Sequence, residues 1–369
     1  MDYKYDFVHF FLINSPVYNT ATEKMLTTYS NVFSHLFVYA HKDYFGTSSA
    51  NRTCDATIIN SVKAIKEYLK QGKYVVIHAL EYSNRQILSF DKATAKRVVW
   101  CIWGHDVYFS SNSSSNTNPI YCMLKKMYDT VLSQKKRSVI NNFKGIFVGF
   151  NEDGKYLKKQ YGEKLNIYQA QYPLGYSIEQ IDTVIKQGNA DKKSNVQVLI
   201  GHSSAPYLNH EKVLNNLANY AGKIDIHLPL SYGCGGTAYA EKIEKLAISL
   251  FGSENVYIYK EFMETEQYIK LLNEIDVAIF DMEFQAALGN IFILLYMGKK
   301  LYTQIDGIVG KGLNSERLII YDANDIGKIT FEEFVMNNNI KDNIDYAYKR
   351  LDEKHISNNW NQAFEKILK

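Results

Sequence analysis

The alternation of two hydrophobic patterns constrains the fold of this chain more than any other feature of its sequence. Apolar runs of strand length are separated, almost from end to end, by stretches in which apolar residues recur at helical spacing. This alternation is typical of βα units, in which a helix connects one strand to a parallel neighbour. Because the pattern occurs in both halves, it predicts two α/β domains, each built on its own parallel sheet.

The predicted strands are short, and turn-forming or polar residues bound them. In the first half they are Phe7–Ile13, Leu36–Ala40, Thr57–Ile59, Tyr74–Ala79, Val98–Trp103 and Gly145–Phe150. In the second half they are Gln197–Gly201, Ile224–Pro229, Val256–Tyr259, Val277–Asp281, Lys300–Thr303 and Arg317–Tyr321. The helices predicted between the strands of the first half are Thr20–Val32, Val62–Lys70, Asn84–Phe90 and Ile120–Val139.

The domain boundary is predicted where the alternation stops. A polar, aperiodic segment starts at Gln187 and ends just before a new strand, which places the boundary between Tyr176 and Asn195. We therefore predict domains at residues 1–180 and 195–356. In α/β proteins the carboxyl ends of the strands line the ligand-binding crevice. We expect the two domains to face each other across such a cleft.

Composition and cysteine use exclude several classes of protein. The chain has 369 residues, 46% hydrophobic and 22% charged, as expected of a protein with a large core. Its apolar runs are far shorter than the ~20 residues of a membrane-spanning helix, and the first, Phe7–Ile13, is too short for a signal peptide. We expect a cytoplasmic protein. Cys54, Cys101, Cys122 and Cys234 lie singly, which favours reduced thiols over a disulfide framework or a zinc site.

The net charge of +3 is unevenly distributed along the chain. Lysine and arginine exceed the acids in the first half, most strongly between Ile120 and Lys164. Apolar residues from Ile120 to Leu132 recur at helical spacing, and the lysines lie off that stripe. A basic amphipathic helix suits an anionic membrane surface or a phosphate-bearing lipid; a solvated helix face is the alternative. Nucleic acid is not an expected partner, because no recognition motif accompanies the charge.

Titratable residues follow two strands of the first predicted sheet. One strand runs into Gly104, His105 and Asp106, and His78 lies near the end of the strand before it. The glycine lets the backbone turn sharply, and a histidine and a carboxylate at the mouth of a sheet can exchange protons near neutral pH. We consider these three titratable side chains candidate catalytic groups. The alternatives are a Gly-Asp turn with a satisfied aspartate, and a core histidine.

Two turns in the second half have the composition of phosphate-binding sites. In one, a strand ends in small and polar residues, and a helix begins after Asn209. In the other, Gly-Asn opens the apolar helix Ile291–Met297. Backbone N–H groups at a helix N-terminus attract phosphate, and serine hydroxyls add donors; an N-cap without a ligand is the alternative. The candidate residues are Gly201, His202, Ser203, Ser204, Gly289 and Asn290.

A third glycine-rich segment fits a dinucleotide-binding fingerprint. Gly233 to Ala238 matches G-x-G-x-x-A, follows a strand and precedes a helix. The acid expected at the end of the next strand is missing, because Lys260 follows that strand. A loop that closely approaches some other ligand is therefore the favoured interpretation. Asp281-x-Glu283 is a weak metal signal, since it offers only two carboxylates.

These segments together resemble one family of enzymes. The resemblance is carried by Trp100-Cys-Ile-Trp-Gly-His-Asp-Val-Tyr108, Leu199-Ile-Gly-His-Ser-Ser204 with Asn209-His-Glu211, Leu228-Pro-Leu-Ser-Tyr232 with Ala238-Tyr239, and Gln285-x-x-x-Gly289 before an apolar helix. They are similar to the bacterial transferases that move 4-acetamido-4,6-dideoxygalactose (Fuc4NAc) from TDP to lipid II in enterobacterial common antigen synthesis, glycosyltransferase family 56. The similarity extends from about Tyr74 to Tyr302.

The resemblance implies a GT-B glycosyltransferase with two Rossmann-like domains. The second domain would hold the nucleotide-sugar and the first the acceptor, and a final helix within residues 357–369 would pack back on the first domain. Asp106 would take the acceptor's proton if the reaction inverts, with His105 and His78 as rivals. The leaving diphosphate would be stabilised without a metal or other cofactor. The residues implied for donor binding are Gly201, His202, Ser203, Ser204, Asn209, Tyr232, Phe262, Met263, Gln285, Leu288, Gly289 and Asn290.

The resemblance also implies the substrates. They would be a nucleotide-diphosphate sugar, with TDP favoured, and a lipid-linked or polysaccharide glycan acceptor. The basic segment would make a peripheral contact with the inner face of the cytoplasmic membrane. A transferase for another O-antigen or lipopolysaccharide sugar stays open. Two other classes stay open as alternatives: an NAD-dependent oxidoreductase, which rests on Gly233–Ala238, and a non-catalytic nucleotide-sugar-binding protein.

Overall fold

The chain divides into two compact units. The computed structural model describes residues 2–13, 15–41, 51–59, 61–80, 90–108, 133–188, 194–338 and 340–369. The first unit comprises Met1–Gly175 with Glu353–Lys369, and the second comprises Tyr176–Asp352. Within the described ranges, no helix combines the length and the apolar composition needed to cross a membrane.

The first unit is built on a seven-stranded parallel sheet with the order β3-β2-β1-β4-β5-β6-β7. Its strands are β1 Tyr5–Phe11, β2 His35–Tyr39, β3 Arg52–Cys54, β4 Gly72–His78, β5 Val98–Cys101, β6 Gly145–Val148 and β7 Ile167–Gln169. In the interior strand β1, Val8 lies opposite Leu36 of β2 and Val75 of β4. Because both faces of such a sheet are covered, the residues of β1, β2 and β4 are nearly all buried.

Helices of the first unit begin where the local sequence caps them. Its helices before the second unit are α1 Pro16–Tyr29, α2 Val62–Gln71, α3 Lys92–Ala95, α4 His105–Tyr108 and α5 Asn151–Tyr161, and residues 133–140 are also helical. Pro16 opens α1, where a missing N–H costs nothing. The Ser61 hydroxyl accepts a hydrogen bond from the Ala64 N–H (3.2 Å) and so caps α2.

The C-terminal helix, Glu353–Leu368, belongs to the first unit. Its indole Trp360 Nε1 donates a hydrogen bond to the Gln171 carbonyl (2.7 Å). Phe364 packs on Phe7 of β1, with 4.1 Å between ring centroids. Trp360 and Phe364 are fully buried. The helix therefore covers one face of the first sheet and shares its core with β1, β4 and β6.

Two edge strands of the first sheet, β3 and β7, were not predicted from the sequence. Thr57–Ile59 is wrong as a strand, because residues Ala56–Ile59 form a 3₁₀ turn that Asp55 supports by accepting from the Thr57 N–H (2.9 Å). The strand lies just before it, at β3, and β7 was not predicted at all. Both have only three residues and no fully buried side chain, so they lack a hydrophobic pattern.

Two predicted helices of the first unit are described only at their ends. Of Asn84–Phe90, only Phe90 lies inside the described residues. Of Ile120–Val139, residues 133–139 are described and are helical, and residues 120–132 lie outside. Cys122 and most of the predicted basic stripe are therefore outside as well. Cys54, Cys101 and Cys234 are free thiols, as the sequence predicts.

The second unit is built on a six-stranded parallel sheet with the order β10-β9-β8-β11-β12-β13. Its strands are β8 Val196–Ile200, β9 Ile224–Pro229, β10 Val256–Tyr259, β11 Val277–Phe280, β12 Lys300–Thr303 and β13 Tyr321–Asp322. Its helices are α6 Ile178–Gln187, α7 His210–Leu217, α8 Gly236–Phe251, α9 Thr265–Glu274, α10 Leu288–Tyr296, α11 Ile308–Ser315, α12 Phe331–Val335 and α13 Lys341–Leu351. The predicted strand Arg317–Tyr321 is shifted, because Arg317 has a left-handed backbone (φ +61°) that no strand tolerates.

Candidate functional site

Most of the predicted donor-binding residues gather at the carboxyl edge of the second sheet, the edge at which its parallel strands end. The sheet order places the ends of β10, β9, β8 and β11 side by side. The segment with Phe262 and Met263 follows β10, Tyr232 follows β9, and the turn Gly201–Ser204 follows β8. Gln285 and the start of α10 follow β11. The topology thus brings together residues that are up to 90 positions apart in sequence.

Gly201 is the residue that makes the turn after β8 possible. Its backbone is left-handed (φ +65°), and a Cβ there would lie 3.0 Å from both His210 Nε2 and Leu208 Cδ1. Its N–H donates to the Ile279 carbonyl of β11 (2.9 Å), so the turn stays tied to the sheet. Any larger residue would be strained in its backbone and would push on the buried His210.

Two buried histidines lie beside this turn. Burial lowers the pKa of His202 and of His210 to about 4, and for His202 the charge of His210 lowers it further. Both rings are therefore neutral at pH 7. His210 Nδ1 is hydrogen-bonded to the Tyr239 hydroxyl (3.1 Å). His202 Nδ1 and His210 Nε2 have no hydrogen-bond partner among the described residues, and unsatisfied buried nitrogens of this kind point to a bound group that supplies one.

The glycines of the dinucleotide-like segment pack against the protein's own backbone. A Cβ on Gly235 would lie 2.1 Å from the Ser204 carbonyl oxygen, and one on Gly233 would lie 2.9 Å from the Ala205 nitrogen. The Gly235 N–H donates to that same Ser204 carbonyl (3.1 Å). The Ser204 hydroxyl donates to the Tyr232 carbonyl (2.9 Å). The close approach that these glycines permit is thus used by the turn after β8, so packing within the chain accounts for them without a dinucleotide.

Two residues with a left-handed backbone introduce the helices of the site. Asn209 (φ +51°) precedes α7, and Ala287 (φ +56°) precedes α10. The Asn209 amide donates to the Asp281 carbonyl (3.0 Å), which links the start of α7 to the end of β11. A left-handed alanine has no side-chain hydrogen bond to offset its cost of roughly 1 kcal/mol. Strain of this kind persists where the surrounding structure needs the geometry, as it does at ligand sites.

The N-terminus of α10 lies at this edge without a side-chain cap. Leu288, Gly289 and Asn290 form its first turn, whose N–H groups have no partner within the helix. Residues Ile291 to Leu295 are fully buried, so the helix is held firmly in the core. The oxygen Gln285 Oε1 has no partner among the described residues. The arrangement offers a partial positive charge and free donors to an anion.

Asp281 is already neutralised inside the protein. Its carboxylate forms an ion pair with Lys212 (Nζ–Oδ2 2.9 Å) and accepts a hydrogen bond from the Gln304 amide (2.7 Å). Glu283, its predicted partner as a metal pair, is exposed. The described part of the chain holds no group of three or more His, Cys, Asp or Glu residues that could bind a metal ion.

Two aromatic side chains at the same edge are unusually exposed. Phe262 is 79% exposed and Tyr232 is 52% exposed. The Tyr232 ring lies 6.1 Å from the ring of His202, so it adjoins the turn after β8. Exposed rings beside an anion-binding turn can stack on a planar base.

In the first unit, Asp106 lies at the carboxyl edge of the sheet, in α4 just after β5. Its Oδ2 accepts hydrogen bonds from the Leu80 N–H (3.0 Å) and Trp100 Nε1 (2.8 Å), and its Oδ1 accepts one from the Trp103 N–H (2.9 Å). Burial raises the pKa of this carboxyl, although the hydrogen bonds from Trp103, Trp100 and Leu80 oppose the rise. The backbone N–H of Asp106 itself adds a further hydrogen bond, so the four or so acceptor positions of this carboxylate are largely filled. The side chain of His105 lies outside the described residues.

His78 belongs to a buried chain of hydrogen bonds, which we call the histidine chain. It runs from the Ser30 carbonyl to His35 Nε2 (3.3 Å), from His35 Nδ1 to His9 Nε2 (3.0 Å), from His9 Nδ1 to His78 Nε2 (3.0 Å), and from His78 Nδ1 to the Tyr172 hydroxyl (2.6 Å). Burial lowers the pKa of His35 to about 4 and that of His78 to about 3, and it lowers the pKa of His9 well below its usual value.

One end of the histidine chain fixes every proton in it. The Ser30 carbonyl can only accept, so His35 carries its proton on Nε2 and accepts at Nδ1. His9 and His78 follow with the same tautomer, and the Tyr172 hydroxyl donates to His78. Burial raises the pKa of Tyr172, which keeps that hydroxyl protonated. All four groups are satisfied only when the three imidazoles are neutral.

The sequence did not identify His9, His35 or Tyr172. A single histidine in an apolar strand gives no sign of its partners, because β1, β2 and β4 come together only in the folded sheet. Lys212 and Gln304 were missed for the same reason, since they reach Asp281 from distant segments, Lys212 as its ion-pair partner and Gln304 as a hydrogen-bond donor. The one usable signal was that His9 and His78 interrupt predicted strands of the same domain and that His35 directly precedes a third.

Comparisons with known proteins point to one class of enzyme. The sequence matches the family described as 4-alpha-L-fucosyltransferase, glycosyl transferase group 56, over residues 86–365. The fold is similar to that of HepE from Anabaena in complex with UDP and glucose, with 11% identity over 99% of both chains and a TM-score of 0.65. It is also similar to sucrose-phosphate synthase from Thermosynechococcus elongatus, with 10% identity over 98% of this chain and 99% of that chain and a TM-score of 0.66. These likenesses confirm the predicted GT-B fold.

Proposed function

Because the chain belongs to the 4-alpha-L-fucosyltransferase family, glycosyl transferase group 56, we propose that it transfers a fucose-type deoxyhexose such as Fuc4NAc. The donor would be a nucleotide-diphosphate sugar, with TDP favoured, and the acceptor a lipid-linked glycan of a bacterial surface polysaccharide. The family makes the chain a glycosyltransferase. The sugar, the nucleotide and the acceptor are the proposed part.

The observation that carries the donor proposal is the carboxyl edge of the second sheet. It combines the tight turn at Gly201, the unpartnered His202 Nδ1 and the uncapped start of α10. In the proposed complex, N–H groups of α10 and those of His202 and Ser203 in the turn hold the diphosphate, because the Gly201 and Ser204 N–H groups already donate to the Ile279 and Tyr232 carbonyls. The neutral rings of His202 and His210 can donate hydrogen bonds to the diphosphate. Because they carry no charge, they need no counter-ion once the product has left. Such fixed donors stabilise a leaving diphosphate without a metal ion.

The nucleobase is proposed to lie between the exposed rings of Tyr232 and Phe262, with Met263 beside it. Gln285 Oε1, which lacks a partner among the described residues, would accept a hydrogen bond from a ribose or sugar hydroxyl. HepE, which has a similar fold, was solved in complex with UDP-glucose. A pyrimidine nucleotide is therefore a reasonable first ligand for this edge.

In the acceptor half of the proposal, Asp106 is the general base. Its raised pKa makes it a better proton acceptor than an ordinary aspartate. His78 is less suited, because both of its ring nitrogens are occupied within the histidine chain. The cationic residues of the first unit would favour an acceptor with a lipid-linked diphosphate and peripheral contact with an anionic membrane.

The donor proposal is tested by thermal unfolding of the full chain with TDP, UDP, GDP or NAD. A nucleotide at 100 times its dissociation constant stabilises the native state by about 2.7 kcal/mol. We expect TDP to give the largest shift. Phe262→Ala should weaken nucleotide binding about tenfold, because stacking on one ring is worth roughly 1–3 kcal/mol.

The matched control is Tyr348→Ala, which removes another exposed aromatic ring of the second unit and should leave the affinity unchanged. Equal nucleotide affinity in the wild type and in Phe262→Ala would contradict the proposal that the nucleobase stacks on Phe262. A response to NAD alone would contradict the donor proposal and revive the oxidoreductase. Nucleotide-sugar binding without turnover on any lipid-linked acceptor would instead favour the non-catalytic binding protein.

A further inference from the structure

A cavity in the first unit lies at the amino edge of its sheet, the edge at which the strands begin. Its volume is about 440 Å³. Lys73 near the start of β4, Arg97 directly before β5 and Lys144 directly before β6 line it. Asp106 follows β5 and therefore lies at the opposite edge of the same sheet. We call this space the amino-edge cavity.

The amino-edge cavity carries a concentrated positive charge. Four cationic side chains line it, those of Lys73, Lys96, Arg97 and Lys144, and among the described residues no acidic side chain does. The lysine ion pairs of the described part of this unit involve other lysines, Lys66 with Asp91, Lys70 with Glu67 and Lys155 with Glu152. The charge in the cavity is therefore not neutralised by a carboxylate of the described chain.

The side chains of the cavity are held in place by contacts that leave their charge uncompensated. Arg97 Nε donates to the Lys73 carbonyl (2.9 Å), and its Nη2 donates to the carbonyls of Leu69 (2.7 Å) and Gly72 (2.6 Å). These neutral acceptors fix the guanidinium plane and leave its Nη1 hydrogens for another partner. Lys73 Nζ lies 3.4 Å from the Leu368 carbonyl of the C-terminal helix.

Aromatic rings form part of the cavity wall. The Arg97 guanidinium lies 4.9 Å from the centre of the Tyr3 ring, and Lys144 Nζ lies 5.4 Å from the centre of the Tyr74 ring. The rings orient these cations, as cation–π contacts do. A rigid arginine, several lysines and a cavity of the size usual for small-molecule sites together match the recognition of a phosphate group.

We propose that the amino-edge cavity binds a phosphate group, separately from the donor site of the second unit. Arg97 and Lys144 would contact its oxygens directly, and Lys73 and Lys96 would add charge. The phosphate could belong to a small phosphorylated molecule in solution or to the headgroup of an anionic phospholipid, and the chemistry of recognition is the same for both. The site does not depend on the sugar or the nucleotide proposed above.

The test measures the reactivity of individual lysines in the wild-type full chain. An amine-labelling reagent is applied with and without inorganic pyrophosphate, and separately with vesicles of phosphatidylglycerol or of phosphatidylcholine, and each lysine is quantified by mass spectrometry. We expect Lys96 and Lys144 to be protected at least fivefold by pyrophosphate or by phosphatidylglycerol vesicles. Lys63 and Lys159, exposed lysines of the same unit outside the cavity, serve as internal references.

Variants then connect the protection to affinity. The double variant Lys96→Ala/Lys144→Ala should weaken the protecting ligand's binding at least tenfold, and Lys63→Ala/Lys159→Ala, which removes the same charge, should change it less than twofold. Arg97 is left intact because it also supports the backbone. Protection by pyrophosphate identifies a soluble ligand, and protection by phosphatidylglycerol alone identifies a lipid headgroup. Absence of protection in every arm, or equal loss of binding in the two double variants, would overturn the proposal.

Discussion

Acidification should lower the unfolding free energy of the first unit, and the number of neutral histidines in the histidine chain determines by how much. His9, His35 and His78 are neutral when folded, and the pKa values of His35 and His78 are lowered to about 4 and about 3. In the unfolded chain each histidine titrates near 6.5. Unfolding at pH 5.5 therefore takes up protons, so stability is fully present above about pH 6.5 and is lost as the pH falls towards the folded pKa values.

The size of the effect follows from the linkage relation. Between pH 7.5 and 5.5, an unfolded-state pKa of 6.5 and a much lower folded-state pKa give a loss of about 1.4 kcal/mol for each histidine. The three rings together give about 4 kcal/mol, against the 5–15 kcal/mol by which domains are usually stable. Protonation of these rings in the folded chain does not reduce this loss, because a second ring proton would face the N–H group of a neighbouring ring.

Urea unfolding of the full chain, followed by tryptophan fluorescence, measures this loss. All three tryptophans, Trp100, Trp103 and Trp360, belong to the first unit, so the signal reports that unit alone. The variant His35→Gln should lose about one third of the pH dependence, whatever its absolute stability. Equal unfolding free energies at pH 7.5 and 5.5, or an unchanged dependence in His35→Gln, would refute the neutral histidine chain.

Two substitutions test the local structure of the two carboxyl edges. Asp106→Asn replaces one acceptor oxygen by an NH2 group that faces the buried N–H groups of Leu80, Trp100 and Trp103. We expect the unfolding free energy of the first unit in urea to fall by roughly 1–3 kcal/mol. An unfolding free energy equal to that of the wild type would show that these hydrogen bonds contribute nothing to stability. Gly235→Ala places a methyl group 2.1 Å from the Ser204 carbonyl oxygen. We expect calorimetry to show that the second unit loses about 1–3 kcal/mol of stability. An unchanged unfolding transition would mean that the glycine is not required by packing, and the loop would again be a candidate for ligand contact.

The parallel-sheet fold could be predicted from the sequence because buried strands have continuous apolar runs. Strands such as Ile224–Pro229 and Lys300–Thr303 are found at the predicted residues. Edge strands β3, β7 and β13 were missed or shifted, since partial exposure removes the hydrophobic signal on which the prediction depends. The physical limit is therefore the same in both units, because a hydrophobic pattern indicates a strand only where its side chains are buried.

The candidate site could be predicted only where it is local in sequence. The turn Gly201–Ser204 and the start of α10 each consist of adjacent residues, so their composition already indicated an anion. The partners of Asp106, His78 and Asp281 come from other strands and loops. A side chain's free capacity for a ligand depends on how many such partners it has, and that number is a property of the folded sheet.

The segment Gly233–Ala238 shows why a glycine fingerprint needs its structural context. In a dinucleotide site, glycine is required because a pyrophosphate approaches the backbone. Here glycine is required because the Ser204 carbonyl approaches the backbone to 2.1 Å from the position of a Cβ. Both causes select the same residue type at the same spacing, since each demands only that no side chain be present. The glycines still bear on the proposed donor site, because they contact Ser204 in the turn that we propose holds the donor's diphosphate.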